Sequence, residues 1–220
     1  MRVYHLLSEK YAKENLKNQR LKVSLFADLN DPFELLSAEL KEENIRKRFR
    51  NWKEETNRNY GVLCFSRSWG NPVLWSHYAD KHKGVCLGFD IPDGLLKRVE
   101  YEGERLPIDV ENKLKDENPN NIMKEKLLTT KFKHWDYEEE ERVIVQLVKS
   151  DKVKIGKKEL YFMKFNDNLK IREIVVGARC TAKKEEFKDL LRNNPKNVEI
   201  IKARLAFTKF QVTKQSLGFK

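Results

Sequence analysis

The sequence predicts an α+β fold, a single domain over residues 1–220 with mixed or antiparallel central sheets and packed helices. Short runs of β-branched and aromatic residues bounded by turn residues outnumber the segments of helical period. The two kinds do not alternate strictly, which argues against a doubly wound sheet. A length of 220 residues suits one core of ordinary size and is short for two.

Arg2 to Leu7 alternates and reads as a strand. Ser8 caps a short helix through Leu16, and Leu21 to Phe26 is a second strand. After a turn at 28–30, Asp31-Pro32-Phe33-Glu34 has the layout of a helix start: a cap, a proline at the first position and a reciprocal carboxylate. That helix is expected to run to about Thr56. Gly61 to Ser66 is an apolar run closed by serine, as in a central strand. Val73 to Asp80 is a short helix, and Gly84 to Asp90 the next strand. Residues 102–121 are polar and read as a surface excursion. Ile122 to Lys133 is expected to be helical, Trp135 to Val148 a long strand, and Leu160 to Phe165 a short edge strand. A helical or 3₁₀ turn from Leu169 feeds a buried strand ending near Ala178. Thr181 starts a helix ending at 193–195, and Val198–Leu205 and Phe207–Val212 form the last strands.

No run approaches the ~18 apolar residues of a membrane helix. The opening residues lack a leader's basic and apolar layout, so a cytoplasmic location without membrane contact is expected. Cys64, Cys86 and Cys180 are far apart and lie among apolar neighbours, which reads as buried thiols, with no zinc site or disulfide framework. The formal charge is +11. Such an excess attracts nucleotides or nucleic acid; because it is spread along the chain, general solubility is the competing explanation. Phosphate-loop, dinucleotide-fold, nucleophile-elbow and His-Glu-x-x-His motifs are absent.

Three stretches hold candidate chemistry. Alternate side chains of a strand share a face, so Glu138, Glu140 and Arg142 point together. Consecutive glutamates repel and are poor strand formers. The strand therefore either gives one face to a cleft, with Arg142 neutralising Glu138 and Glu140, or is a solvated edge paired with lysines. In the second stretch, Ser66 and Ser68 follow a strand and lead into the helix of Trp75 and Tyr78. Those rings serve either a core or a ligand, and their polar tips need partners. The third is His5 on the first strand, structural unless the fold brings it beside Ser66 and Glu140. Asn30 and Asp31 are explained by the helix cap, with the cleft as the other place they could reach.

Asn30-Asp31-Pro32-Phe33-Glu34, Cys64-Phe65-Ser66, Leu74-Trp75-Ser76-His77-Tyr78-Ala79, Trp135-x-Tyr137-Glu138-x-Glu140-x-Arg142 and Ile174-Val175-Val176-Gly177-Ala178 occur in that order. Together they resemble a bacterial family known only as a domain of unknown function. Its members often lie among mobile-element and phage-defence genes, which implies a role in conflict. More distantly, the order of His5, Ser66 with Tyr78, and Glu138-x-Glu140 resembles the ADP-ribosyltransferases. That likeness implies an ADP-ribosyltransferase-like fold and NAD as substrate; no bound metal is expected. His5 would hold the nicotinamide ribose, Ser66 would support the pocket, and Tyr78 would stack on nicotinamide. Glu140 would bind a ribose hydroxyl and stabilise the cationic transition state. Arg67 stands where that pattern has threonine, and Arg142 is no part of it. The expectation is an ADP-ribosyltransferase or NAD glycohydrolase acting as a toxin or phage-defence effector. The alternatives are a nucleic-acid binder or nuclease holding metal on paired glutamates, and a non-catalytic sensor of a phage component.

Overall fold

A computed structural model of the chain describes residues 1–107, 122–156, 158–191, 197–216 and 219. Its class is α+β. The strands are β1 (Arg2–Leu7), β2 (Arg20–Leu25), β3 (Tyr60–Ser66), β4 (Val85–Asp90), β5 (Lys97–Arg98), β6 (Glu100–Glu102), β7 (Thr130–Phe132), β8 (Glu140–Gln146), β9 (Asp151–Ile155), β10 (Lys158–Lys164), β11 (Lys170–Val176), β12 (Glu199–Leu205) and β13 (Val212–Lys214). Eleven of them form one mixed sheet in the order β13-β12-β11-β4-β1-β3-β2-β10-β9, with β8 pairing β3 and β5. Most neighbours are antiparallel, while β11 and β12 run parallel. β6 and β7 form a separate parallel pair.

The helices are α1 (Glu9–Asn18), α2 (Glu43–Asn59), α3 (Pro72–Tyr78), α4 (Ile122–Thr129) and α5 (Lys184–Leu190). Ser8 caps α1 by accepting from the Tyr11 amide. Asn71 caps α3 through the Val73 amide, with Pro72 at the first helical position. One face of the sheet, carrying Val3, Leu63, Phe65, Leu87, Phe89 and Ile174, buries Leu16 of α1 and Phe187 of α5. On the other face, α3 seats Trp75 against Cys86, Val175 and Ile201. Further along that face, Phe26, Leu35 and Val62 form a second patch. Phe49 of α2 and Leu127 of α4 meet Ala38 in a third. A groove is left between the α3 patch and the α2–α4 patches. The loop after α3 is fixed where Gly177 donates to the Gly84 carbonyl at 2.9 Å; a Cβ on Gly177 would lie only 2.4 Å from the His82 carbonyl oxygen.

Several expected elements are corrected. No helix starts at Asp31. The Asp31 carboxylate does accept from the Phe33 amide at 2.9 Å, but as part of a turn, and Leu35 is left-handed (φ 58°). The helix begins only at Glu43, because Glu34 is drawn away to a buried guanidinium. The long strand from Trp135 is a 3₁₀ turn over Lys133–Glu138 followed by β8, with left-handed Glu139 (φ 44°) as the hinge. The helix from Ile122 stops at Thr129 and gives way to β7. β10 is interior, between β2 and β9. The segment from Lys170 is strand throughout, α5 starts at Lys184, and the last strand begins at Val212. Within the 102–121 excursion, Leu106 is buried and pairs with Ala38; residues 108–121 lie outside those described.

Candidate functional site

β1 and β2 share one edge of β3. β1 touches it at Tyr4–Ser66, β2 at Ser24–Val62 and Leu25–Gly61. Where the two part, a cavity of about 110 Å³ opens. Its walls include His5, Asn30, Cys64, Ser66, Tyr78, Lys131, Glu138, Glu140 and Arg142. The Cys64 carbonyl accepts a hydrogen bond from His5 Nδ1 at 2.9 Å. A carbonyl only accepts, so this nitrogen carries the proton, and burial lowers the imidazole's pKa and keeps it neutral.

β8 lies against the other edge of β3, in a register that pairs Cys64 with Arg142 and Ser66 with Glu140. The acidic strand and the serine-ended strand are therefore neighbours, and these four side chains share the groove face. Arg142 is fully buried, and all five of its N–H groups are used. Nη1 and Nη2 reach Glu34 at 2.5 and 3.0 Å. Nε and Nη2 reach Glu140 at 2.9 and 3.2 Å, and Nη1 also donates to the Leu128 carbonyl at 2.7 Å. Lys131 Nζ lies 2.5 Å from Glu138 and 3.4 Å from Glu140, and stands over the Trp135 ring. Tyr78 donates its hydroxyl proton to Glu138 and accepts from Asn30 at 2.8 Å. The Tyr101 hydroxyl accepts from the Glu140 amide at 2.8 Å.

These contacts push the two glutamates apart. Burial alone would raise the pKa of Glu140, but the charges of Arg142 and Lys131 outweigh it and bring the value down to about 2. Glu140 therefore stays ionised well below the usual carboxylate range. Glu138 is governed by its burial, which raises its pKa despite Lys131, and the charge of Glu140 adds to the rise. Burial and Glu138 also raise the pKa of the Tyr78 hydroxyl, so it stays a donor. The Cys64 thiol is held well above its ordinary value by burial and does not ionise. Three carboxylates (Glu34, Glu138, Glu140) thus face two cations (Arg142, Lys131) in one buried cluster. One negative charge is left over, to be met by a proton on Glu138 or by a cationic ligand.

The structure gathers His5, Asn30, Ser66, Tyr78, Glu138, Glu140 and Arg142 around one hollow, and leaves two expected residues out. Trp75 is a core side chain of the α3 patch, its indole N–H donating to the Trp69 carbonyl at 2.6 Å. Ser68 is turned away: its carbonyl accepts from Ser66 Oγ at 2.7 Å, and it borders a wider adjoining groove of about 750 Å³. Ser66 and Leu74 wall both spaces. Arg142, expected to neutralise Glu138 and Glu140 and weighed as a substrate contact, has every donor engaged by protein and holds Glu140 and Glu34 in place. Sequence reasoning missed Lys131, which lay within an expected helix, and assigned Glu34 to a cap. The order Thr130-Lys131-Phe132 is too short a strand signal to have revealed the former.

Among the described residues, no group of three or more His, Cys, Asp or Glu side chains is placed to hold a metal ion. Between Glu138 and Glu140, the ammonium of Lys131 stands where a shared metal would sit. No helix among the described residues is long and apolar enough to cross a membrane.

A family model described as a protein of unknown function (DUF2971) matches residues 74–143. That stretch is about a third of the chain and runs from α3 into β8, taking in Tyr78, Lys131, Glu138, Glu140 and Arg142. His5, Asn30, Glu34 and Ser66 lie outside it. No curated protein and no solved structure matches the chain.

Proposed function

We propose that the chain cleaves the nicotinamide–ribose bond of NAD, as an NAD glycohydrolase or an ADP-ribosyltransferase. The observation that carries this reading is the surplus carboxylate charge of the buried cluster at Glu138, which lines the cavity. The nicotinamide ring of NAD is a cation. As the bond breaks, its electron pair passes to the ring nitrogen, and the positive charge moves to the ribose C1′ and ring oxygen. A fixed anion beside that carbon favours the transition state over the ground state. Both carboxylates have both oxygens engaged, but Glu140 is held by the guanidinium of Arg142 as well as by Lys131, whereas Glu138 meets one cation and the neutral Tyr78 hydroxyl; Glu138 therefore takes this role. Water or an acceptor then attacks C1′, and Glu138 receives the proton, for which its raised pKa suits it.

The hollow, about 110 Å³, is smaller than the apolar cavity of about 150 Å³ that holds benzene, so a nicotinamide ring would fill it and extend into the adjoining groove. The rest of the dinucleotide would lie in the adjoining groove beside Ser66 and Leu74. Tyr78 and His5 flank the ring position, and Asn30 fixes the Tyr78 hydroxyl. The resemblance to a family found near phage-defence genes favours an effector that depletes or redirects NAD.

Purified protein should release nicotinamide from NAD, with or without a macromolecular acceptor. Glu138→Gln keeps the shape and removes the charge, and should lower the rate about 10²–10³-fold while circular dichroism stays unchanged. Nicotinamide release by wild type no faster than the blank, or full activity in the variant, overturns the assignment.

A further inference from the structure

At the other end of the sheet, where β9 pairs with β10, strands β2 and β10 turn one face to the main core through Leu21, Val23, Tyr161 and Met163. The opposite face is only partly covered. The register pairs Lys22 with Phe162 and Arg20 with Lys164, and places Lys158 and Leu160 on the same side. The Arg20 guanidinium lies 3.8 Å from the centre of the Phe162 ring. Lys22, Lys158 and Lys164 are exposed, and Ile155 is 60% exposed at the rim. Among the described residues of these strands, Asp151 is the one acid on this face, 3.2 Å from Lys164. Four cations therefore surround a phenyl ring and an aliphatic strip.

We infer that this face binds single-stranded nucleic acid. Phosphates meet Arg20, Lys22, Lys158 and Lys164, and bases stack on Phe162 and its guanidinium cover. Lysines on an edge strand alone would serve to discourage strand pairing. Here two of the cations lie on β2 and two on β10, both interior to the sheet, around an aromatic ring that edge protection does not require. Arg20 and Lys164 stand directly opposite across the ladder. Asp151 offsets part of the repulsion between them through Lys164, and a bound phosphate would relieve the rest. The net charge of +11 adds long-range attraction for the same partner. The face is separate from the cavity: none of its residues lines that hollow.

Fluorescence anisotropy with labelled RNA and DNA single strands of about 12 nucleotides, a length within the reach of one such platform, tests the inference. Wild type should bind, and affinity should fall steeply between about 50 and about 200 mM salt. Lys22→Glu with Lys158→Glu should weaken binding at least about 10-fold and flatten the salt slope by about 0.7 per lost phosphate contact. Phe162→Leu should weaken binding with the slope unchanged, because stacking releases no counterions. Circular dichroism verifies that each variant is folded. Glu138→Gln should bind as wild type does, so failure here and failure of the NAD reading are separate results. Absence of wild-type binding at the lowest salt, an unchanged affinity in the charge variant, or binding to anionic vesicles without binding to oligonucleotides overturns the inference.

Discussion

Glu34, Lys131, Glu138, Glu140 and Arg142, on and around β8, are each less than a tenth exposed and meet one another in a closed set of ion pairs. Arg20, Lys22, Lys158 and Lys164, on β2 and β10, are the same kinds of side chain left largely in contact with water. The difference lies in what a charge costs where it stands. An ion removed from water loses several kcal/mol of hydration and must be met by a partner at close range. In the buried set each group therefore constrains the next, and the geometry is determined before any ligand arrives. On the open face hydration is retained, the side chains are held by little, and their charge remains available to a partner.

The largest expected effect comes from breaking the buried set at its centre. Arg142→Met would leave Glu34 and Glu140 as uncompensated buried charges and orphan the Leu128 carbonyl. Urea unfolding should show a loss of about 3–5 kcal/mol. A loss comparable with that of an exposed lysine variant would erase the contrast between the two regions.

Acid should dissolve the buried set group by group. Glu140 titrates at about 2 in the folded chain against 4.5 unperturbed, so the unfolded state binds more protons between these values. Its contribution is complete above pH 4.5 and is lost as pH falls towards about 2, on the order of 3 kcal/mol. Glu138 has the opposite sign. Its raised pKa makes its contribution full below the unfolded value, and this is lost as pH rises through the folded one. Stability measured against pH should thus climb from about pH 2 and then give back part of the gain. Glu138→Gln should abolish the later decline and leave the acid limb in place.

A smaller effect isolates one hydrogen bond. Tyr78→Phe removes the donor that favours the charged form of Glu138. A hydrogen bond to a charged group contributes about 1.5–3 kcal/mol, and chemical denaturation should lose a similar amount. In the proposed reaction, the acid limb of the pH–rate profile should move to higher pH, because Glu138 would hold its proton more tightly. A limb that does not move would assign the limiting ionisation to another group.

How much of this was visible in the sequence depended on the range of the interaction. The common face of Glu140 and Arg142 followed from strand period, and a cleft beside Ser66 was one of the two readings that the cost of lining up carboxylates left open; Glu138 reaches the same hollow from the end of a 3₁₀ turn, which strand period did not describe. The partners that make the cluster close were hidden. Glu34 lies 108 residues from Arg142, and its local surroundings offered a complete explanation as a helix cap. The turn at Asp31 does form, but the demand of a buried guanidinium overrides its continuation into a helix. Lys131 is only seven residues from Glu138, yet those residues span a strand end and a 3₁₀ turn, which no single period describes. Trp75 carried the opposite ambiguity. Its spacing fitted either a core or a cage, and the Trp69 carbonyl, which satisfies the indole in the core, comes from a loop without a pattern. The open face was missed because β10 was expected to be an edge, where lysines need no further reason.

The smallest stability effect is also the one that separates charge held in place from charge held in reserve. Lys22→Glu places a carboxylate opposite Phe162, diagonal to Lys164 and two residues along its own strand from Arg20, on a face already rich in cations. No buried partner is orphaned, and the new charge has cations nearby. Thermal unfolding should therefore change by no more than about 0.5 kcal/mol. The same substitution removes a positive charge from the proposed phosphate path and adds a negative one, so oligonucleotide affinity should fall while the fold is unaffected. A large loss of stability would mean that Lys22 is tied into the packing as Lys131 is, and the two ends of the sheet would then obey one rule.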